Sequence, residues 1–156
     1  MGTILFFEDD DIFAERTASL LSKDLGSSVK VELAKSILSR SYHRGRTFID
    51  RLFNELKKLK DIDLIVADVN LYDIESYAGL SAELVSEVGK RLFIPVCVYS
   101  RKIKDDLEKM QESVDASIKL KSRPERLPEM SREIMHIYNG FTKIKKLYLK
   151  DRKSVV

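Results

Sequence analysis

Three carboxylates, those of Glu8, Asp9 and Asp68, directly follow two short apolar segments of the chain. Carboxylates that crowd together repel one another, and a cation placed among them offsets the repulsion. Mg²⁺ takes oxygen ligands and usually keeps several waters, so one or two protein carboxylates are enough to hold it. An aspartate can also act as a nucleophile and form an aspartyl phosphate. These acids are therefore suited to metal-assisted phosphoryl chemistry if the fold brings them together.

A hydroxyl and an amine follow two further apolar segments. Ser100 comes directly after "VCVY", and Lys119 and Lys121 lie in "SIKLK". An ammonium group pairs with phosphate oxygens, and a hydroxyl donates a hydrogen bond to them. The two lysines are one slip of strand register apart, so both are candidates for the same position.

The chain alternates apolar segments with segments of helical spacing, which predicts an α/β fold. Predicted strands cover residues 3–7, 29–34, 62–67, 92–99 and 116–120. Predicted helices cover residues 11–25, 36–59 with an interruption at 39–46, 81–91, 104–114, and a segment from Ser122 to about Asn139 or past Gly140. This order predicts a doubly wound, five-stranded parallel sheet with helices on both faces. Ligands of such sheets bind beyond the carboxyl ends of the strands, where the acids, Ser100 and the lysines stand.

The composition indicates one domain without disulfides. The chain has 156 residues, and 28 Lys or Arg against 25 Asp or Glu give a net charge of +3, too small an excess to imply nucleic acid. The single cysteine, Cys97, fits a reducing compartment. The amino-terminal segment has no basic region before its short apolar run, and the longest apolar run is shorter than the ~20 residues of a membrane helix. We therefore expect a cytoplasmic protein with no membrane association.

Four segments together resemble the receiver domain of two-component response regulators, a flavodoxin-like fold. They are "ILFFEDD", "LIVADVNL", "VYS" and "SIKLK", and the resemblance covers roughly residues 3–139. It implies that Asp68 is the phosphoacceptor and that Ser100 and Lys121, or alternatively Lys119, contact the phosphoryl group and act as the switch. It implies Mg²⁺ as the cofactor, held by Glu8, Asp9, Asp68 and the backbone carbonyl of Asn70.

The resemblance also implies a function and its partners. Residues 1–139 would form a receiver domain that accepts a phosphoryl group from a histidine kinase or a phosphotransfer protein and signals through a surface switch. Residues 140–156 would form a basic helical extension or tail. We expect no enzymatic activity beyond, at most, weak self-dephosphorylation.

Several positions depart from the pattern of the family. Ser122 follows Lys121 where proline is usual, Arg101 follows Ser100 where a small residue is usual, and Ile118 replaces the switch aromatic. These departures favour an alternative, a receiver-like interaction module that is not phosphorylated. A further alternative is a Toprim-like Mg²⁺-dependent enzyme, although such sites need a second acid where this chain has Asn70.

Other conspicuous residues have structural interpretations. Asp10 and Asp11 are predicted to cap a helix and Cys97 to lie in the core. His43 and His136 lack the spacing of metal ligands, so we predict no zinc site. The segment "SRSYHRGR" (39–46) is interpreted as a solvated helix end or loop, with an anion-binding or partner-binding patch as the alternative.

The segment 141–153 carries six Lys or Arg and one Asp. Its apolar residues continue a spacing of three and four that is typical of coiled coils, formed by Ile134, Ile137, Phe141, Ile144 and Tyr148. One interpretation is a last helix packed on its own sheet, with a fraying end. The other is an extended helix that forms a homodimer or docks on a partner. We do not expect this segment to bind nucleic acid.

Overall fold

The computed structural model describes residues 2–8, 10–34, 48–59, 61–68, 82–100, 115–119 and 127–154. The strands are β1 (Gly2–Phe7), β2 (Val29–Leu33), β3 (Ile62–Asp68), β4 (Val96–Ser100) and β5 (Ala116–Lys119). The helices are α1 (Asp11–Leu25), α2 (Phe48–Lys58), α3 (Ala82–Arg91) and α4 (Leu127–Ser154). The predicted segments 36–47 and 104–114 lie outside the described residues.

The described strands form one parallel sheet in the order β2-β1-β3-β4-β5. The chain winds outward from β1 to β2 in one direction, and through β3, β4 and β5 in the other. Because right-handed crossovers in opposite directions place helices on opposite faces, the sheet is covered on both sides. The predicted doubly wound parallel sheet is confirmed.

Alternating residues of the central strands fill two separate cores, as the side-chain period of a strand requires. One core lies under α2 and α3 and contains Leu5, Phe7, Ile65, Ala67 and Val98, together with Leu52, Leu56, Val85 and Val88 of the helices. The other lies under α1 and α4 and contains Ile4, Phe6, Leu64, Val66, Cys97 and Tyr99, together with Phe13, Leu21, Met130 and Ile134. Both faces of the sheet are therefore apolar, which explains the continuous apolar runs in the sequence.

Cys97 lies fully buried in the second core, as predicted. Burial raises the pKa of its thiol to about 12, and the charge of Glu133 contributes to the same shift. The thiolate that would act as a nucleophile is therefore suppressed at neutral pH.

The boundaries of α1 follow from its capping residues. The side chain of Asp10 accepts a hydrogen bond from the backbone N–H of Phe13 at 3.1 Å, which is the N-cap arrangement predicted for it. Gly26 ends the helix with φ of 78° and donates its N–H to the carbonyl of Ser22. Asp11 is the first residue of the helix.

The prediction of a strand over residues 92–99 is wrong at its amino-terminal end. The strand begins only at Val96, and the four residues before it close α3. The backbone N–H of Phe93 donates to the carbonyl of Lys90 at 3.2 Å, and that of Ile94 donates to the carbonyl of Gly89 at 2.8 Å. These two hydrogen bonds form a Schellman motif. Pro95 therefore precedes the strand and removes no hydrogen bond from the sheet.

Helix α4 continues through Gly140 to Ser154, over 28 residues, which confirms the predicted extended C-terminal helix. Its first half packs on the sheet, where Met130, Ile134 and Tyr138 are buried. Its second half leaves Ile144 63% and Leu147 55% exposed. Within the described ranges, no helix combines the length and apolar character needed to cross a membrane.

Candidate functional site

Two buried carboxylates end neighbouring strands at the carboxyl edge of the sheet. Phe7 of β1 pairs with Ala67 of β3, and the next residue on each strand is an acid, Glu8 and Asp68 respectively. Each is only 2% exposed. The apolar segments before them end at the same edge because the strands are parallel, so the structure brings these two predicted site residues together.

Hydrogen bonds fix the orientation of Glu8. Its Oε1 accepts the backbone N–H of Asp10 at 3.0 Å, and its Oε2 accepts the hydroxyl of Tyr99. The first bond ties the carboxylate to the N-cap residue of α1, where the helix dipole favours negative charge. Both oxygens of this buried carboxylate therefore have a donor from the protein, which lowers the cost of burying its charge.

Tyr99 is a residue of the site that sequence analysis missed. It pairs with Asp68 in the register of β3 and β4 and is fully buried. Its ring stacks on those of Phe6 and Phe13, with centroids 5.7 and 6.0 Å away. A tyrosine inside a continuous apolar strand requires a partner for its hydroxyl, and that requirement could have indicated a polar group nearby. The sequence could not indicate that the partner lies 91 residues away.

The remaining predicted residues are placed by the backbone or lie outside the described residues. Ser100 is the last residue of β4, beside β3, and pairs in register with Lys119, the last residue of β5. Both backbones therefore reach the same carboxyl edge. Asp9, Asn70 and Lys121 lie outside the described residues, as does His43. The choice between Lys119 and Lys121 stays a prediction.

The donor set of the site fits a hard divalent cation. Glu8 and Asp68 offer carboxylate oxygens at adjacent positions, and Mg²⁺ prefers such ligands. Among the described residues, no group of three or more acids, histidines or cysteines could hold a metal ion. A cation there would thus be held by these two carboxylates and by waters, and by Asp9 and Asn70 if they join them. His136 is exposed on α4 and belongs to no such group.

Comparison with known proteins gives matches of structure alone. No family model and no curated protein matches the sequence. A response regulator receiver domain from Clostridium thermocellum is 16% identical with a TM-score of 0.61, and the match covers 95% of this chain and 99% of that chain.

Two further response regulators are similar over slightly less of the chain. The phosphorylated cyanobacterial phytochrome response regulator RcpA is 20% identical with a TM-score of 0.59, covering 88% of this chain and 93% of that chain. The Mn²⁺-bound form of response regulator Rcp1 is 18% identical with a TM-score of 0.58, covering 86% and 91%. The fold predicted from strand ends and helical spacing is thereby confirmed. The chain has the fold of the response regulator receiver domains.

Proposed function

We propose that this chain is a phosphoacceptor receiver domain of a two-component phosphorelay, phosphorylated on Asp68 with Mg²⁺ as the cofactor. The observation that carries the proposal is the pair of buried carboxylates, Glu8 and Asp68, at adjacent positions of a receiver fold. Burying two like charges side by side is costly, and selection for stability alone would replace one of them. Glu8 and Asp68 would hold a cation whose charge offsets their repulsion and assists the phosphoryl chemistry.

The cofactor would supply positive charge beside the oxygens of the transferred phosphoryl group. Glu8 and Asp68 would hold it, with Asp9 and the backbone carbonyl of Asn70 as the remaining predicted ligands. The similar protein Rcp1 was solved with Mn²⁺ bound, a divalent ion that also suits carboxylate and water ligands.

Asp68 would supply the nucleophile. A carboxylate oxygen of Asp68 attacks the phosphorus atom of a phosphohistidine on a histidine kinase or phosphotransfer protein. The new oxygen–phosphorus bond forms as the phosphorus–nitrogen bond breaks, and the imidazole leaves with the electron pair. Ser100 and one of Lys119 and Lys121 would donate hydrogen bonds to the phosphoryl oxygens. The added negative charge would then bias a surface switch toward the signalling state.

The test is the intact mass of the protein after incubation with Mg²⁺ and acetyl phosphate. We expect one phosphoryl adduct per chain, no adduct when EDTA removes Mg²⁺, and no adduct in Asp68→Asn. The proposal fails if the wild-type chain gains no adduct or if Asp68→Asn keeps it.

Asp63→Asn is the matched control for this experiment. Asp63 lies on the same strand as Asp68 but near its opposite end, where it accepts hydrogen bonds from Tyr138 and Lys145. We expect Asp63→Asn to gain the same adduct as the wild-type chain. Far-ultraviolet circular dichroism of both variants distinguishes loss of the phosphoacceptor from loss of the fold.

A second candidate function is a receiver-like interaction module that is not phosphorylated. The hydroxyl of Tyr99 favours this second candidate. It donates a hydrogen bond to Glu8, so the charge of Glu8 is partly compensated without a cation. The departures at Arg101 and Ser122 point the same way. Absence of an adduct, together with an unchanged thermal midpoint on adding beryllofluoride and Mg²⁺, would select this candidate. We propose no enzymatic activity for the phosphoacceptor beyond weak self-dephosphorylation of Asp68, and none for the interaction module.

A further inference from the structure

Phe93, two residues after the end of α3, is an unusual residue type for its backbone conformation. In the Schellman motif that closes this helix, Phe93 has φ of 58°, in the left-handed region. Glycine is the usual residue at this position because any Cβ there meets the following carbonyl oxygen. A bulky side chain in this conformation is an outlier, and such outliers concentrate at functional sites.

The side chain of Phe93 gains nothing from the domain in return. It is 94% exposed, more than any other large hydrophobic residue in the described part of the chain. The choice of phenylalanine at this position therefore does not stabilise the isolated protein. A partner that covers the ring would account for both features.

A groove of about 520 Å³ lies beside Phe93, at the edge of the sheet opposite Asp68. Its apolar wall contains Ile94, Pro95, Phe141 and Ile144 as well as Phe93. We call this the Phe93 groove. Leu147, one turn beyond Ile144 on α4, is also exposed and continues the apolar surface along the helix. Isolated exposed apolar residues are ordinary, but a recess lined by several of them suits the insertion of a partner side chain.

The surroundings of the Phe93 groove favour an acidic partner. Residues 140–154 of α4 carry six Lys or Arg against one Asp. The two acids that line the groove already have partners: Asp63 accepts from Tyr138 and Lys145, and Asp115 accepts the backbone N–H of Val96 at 2.8 Å. Lys90 and Lys145 line the groove and are exposed, and Lys143 and Lys146 are exposed elsewhere on α4. The charges of the four ionisable side chains that line the groove balance, so the excess positive charge that a partner segment meets comes from the rest of α4.

We propose that the Phe93 groove binds an acidic amphipathic helix of another protein. Its apolar side chains would pack against Phe93, Phe141 and Ile144, and its carboxylates would face the lysines of α4. A second copy of this chain would bring two strongly basic helices together, which charge repulsion opposes. The groove lies at the edge of the sheet opposite Asp68, so this proposal does not rest on the proposed phosphorylation.

The test uses the full chain and a fluorescein-labelled synthetic helix with leucines on one face and glutamates on the other. We expect fluorescence anisotropy to show binding that weakens as salt is added. Two control peptides should each bind about tenfold or more weakly. A scrambled peptide of the same composition loses the apolar face, and a peptide with lysine in place of glutamate loses the negative charge.

Phe93→Gly is the decisive variant because we expect it to weaken peptide binding and, at the same time, to stabilise the protein. It should weaken binding of the acidic helix about tenfold or more. It should also raise the thermal midpoint of the protein by about 2–4 °C, because glycine relieves the left-handed backbone at Phe93. Ile12→Ala is the matched control: Ile12 is a comparably exposed apolar residue, 65% exposed, on α1, and its loss should leave peptide binding unchanged.

Four results would overturn the proposal. The first is no binding of the acidic helix, and the second is equal binding by Phe93→Gly. Another is preferential binding to vesicles of phosphatidylserine and phosphatidylcholine that Phe93→Gly abolishes, which would assign the surface to membranes. The last is a concentration-dependent dimer in light scattering that Phe93→Gly dissolves, which would assign it to a second copy.

Discussion

The hydroxyl of Tyr99 and the carboxylate of Glu8 form a buried hydrogen-bonded pair, and other residues fix the position of each partner. The rings of Phe6 and Phe13 stack on Tyr99 and fix its position, so the hydroxyl remains at the carboxylate. A hydrogen bond to a buried charged group contributes more than a neutral one, about 1.5–3 kcal/mol, because its loss removes a donor from a charge that water cannot reach. The stability of the candidate site therefore depends on a residue that carries out none of its chemistry.

Tyr99→Phe should lower the free energy of unfolding by about 1.5–3 kcal/mol. Phenylalanine keeps the ring contacts with Phe6 and Phe13, so the loss reports the hydroxyl alone. Urea denaturation followed by circular dichroism measures it. Combining Tyr99→Phe with Glu8→Gln gives a double-mutant cycle, in which we expect a coupling energy well above about 0.5 kcal/mol. Additive effects would show that the two side chains do not interact.

Two glycines in helices illustrate how packing overrides helix propensity at the scale of elements. A Cβ added to Gly89 of α3 would lie 2.3 Å from Cγ2 of Val96 and 3.0 Å from the carbonyl oxygen of Ile94. A Cβ added to Gly140 of α4 would meet no described atom within 4 Å. Gly89 thus permits the close approach of α3 to β4, whereas Gly140 has no such packing role.

Gly89→Ala and Gly140→Ala should therefore change stability in opposite directions. Gly89→Ala should lower the free energy of unfolding by about 1–3 kcal/mol, because Val96 and the chain at Ile94 must shift. Gly140→Ala should raise it by up to about 1 kcal/mol, the difference in helix propensity between the two residues. Parallel urea titrations measure both. A stabilising Gly89→Ala would contradict the packing of α3 on β4.

Strands and helices could be predicted where the spacing of the apolar residues fitted only one type of secondary structure. The strand ends at Glu8 and Asp68 followed from apolar runs that stop at acids, and parallel topology then required these ends to meet. The run at 92–99 was misassigned because its first four residues are apolar for another reason, the closure of α3, which depends on backbone hydrogen bonds. Tyr99 was missed because its partner is distant in sequence. The rest of the candidate site, at Asp9, Asn70 and Lys121, stays a prediction.

At the scale of the whole molecule, two side chains of the long helix are hydrogen-bonded to Asp63, near the start of the central strand β3. The hydroxyl of Tyr138 donates to Oδ2 of Asp63 at 3.1 Å, and Nζ of Lys145 lies 3.2 Å from Oδ1 of the same carboxylate. Burial raises the pKa of Tyr138 to about 12, and the charge of Asp63 and their hydrogen bond add to the shift. The protonated phenol thus helps to hold α4 against β3.

The hydrogen bond between Tyr138 and Asp63 predicts that the free energy of unfolding depends on pH through the ionisation of Tyr138. Its pKa is raised from 10.0 to about 12 on folding, so its contribution is fully present below pH 10 and is lost as pH rises toward 12. The free energy of unfolding of the wild-type chain should exceed that of Tyr138→Phe by a constant amount below pH 10, and the difference should shrink above it. Urea titrations at several pH values measure this. A difference that does not change with pH would contradict the hydrogen bond.

The packing of α4 on α1 and β1 also determines when the protein can finish folding. Ile4, Phe6 and Leu21 share a core with Met130, Ile134 and Tyr138, which the ribosome adds more than 100 residues later. At about 5–20 residues per second, the amino-terminal segment waits roughly 5–20 s for the helix that covers it. During synthesis the part of this face that α4 will cover is therefore exposed, and such exposed apolar surface favours aggregation until α4 emerges.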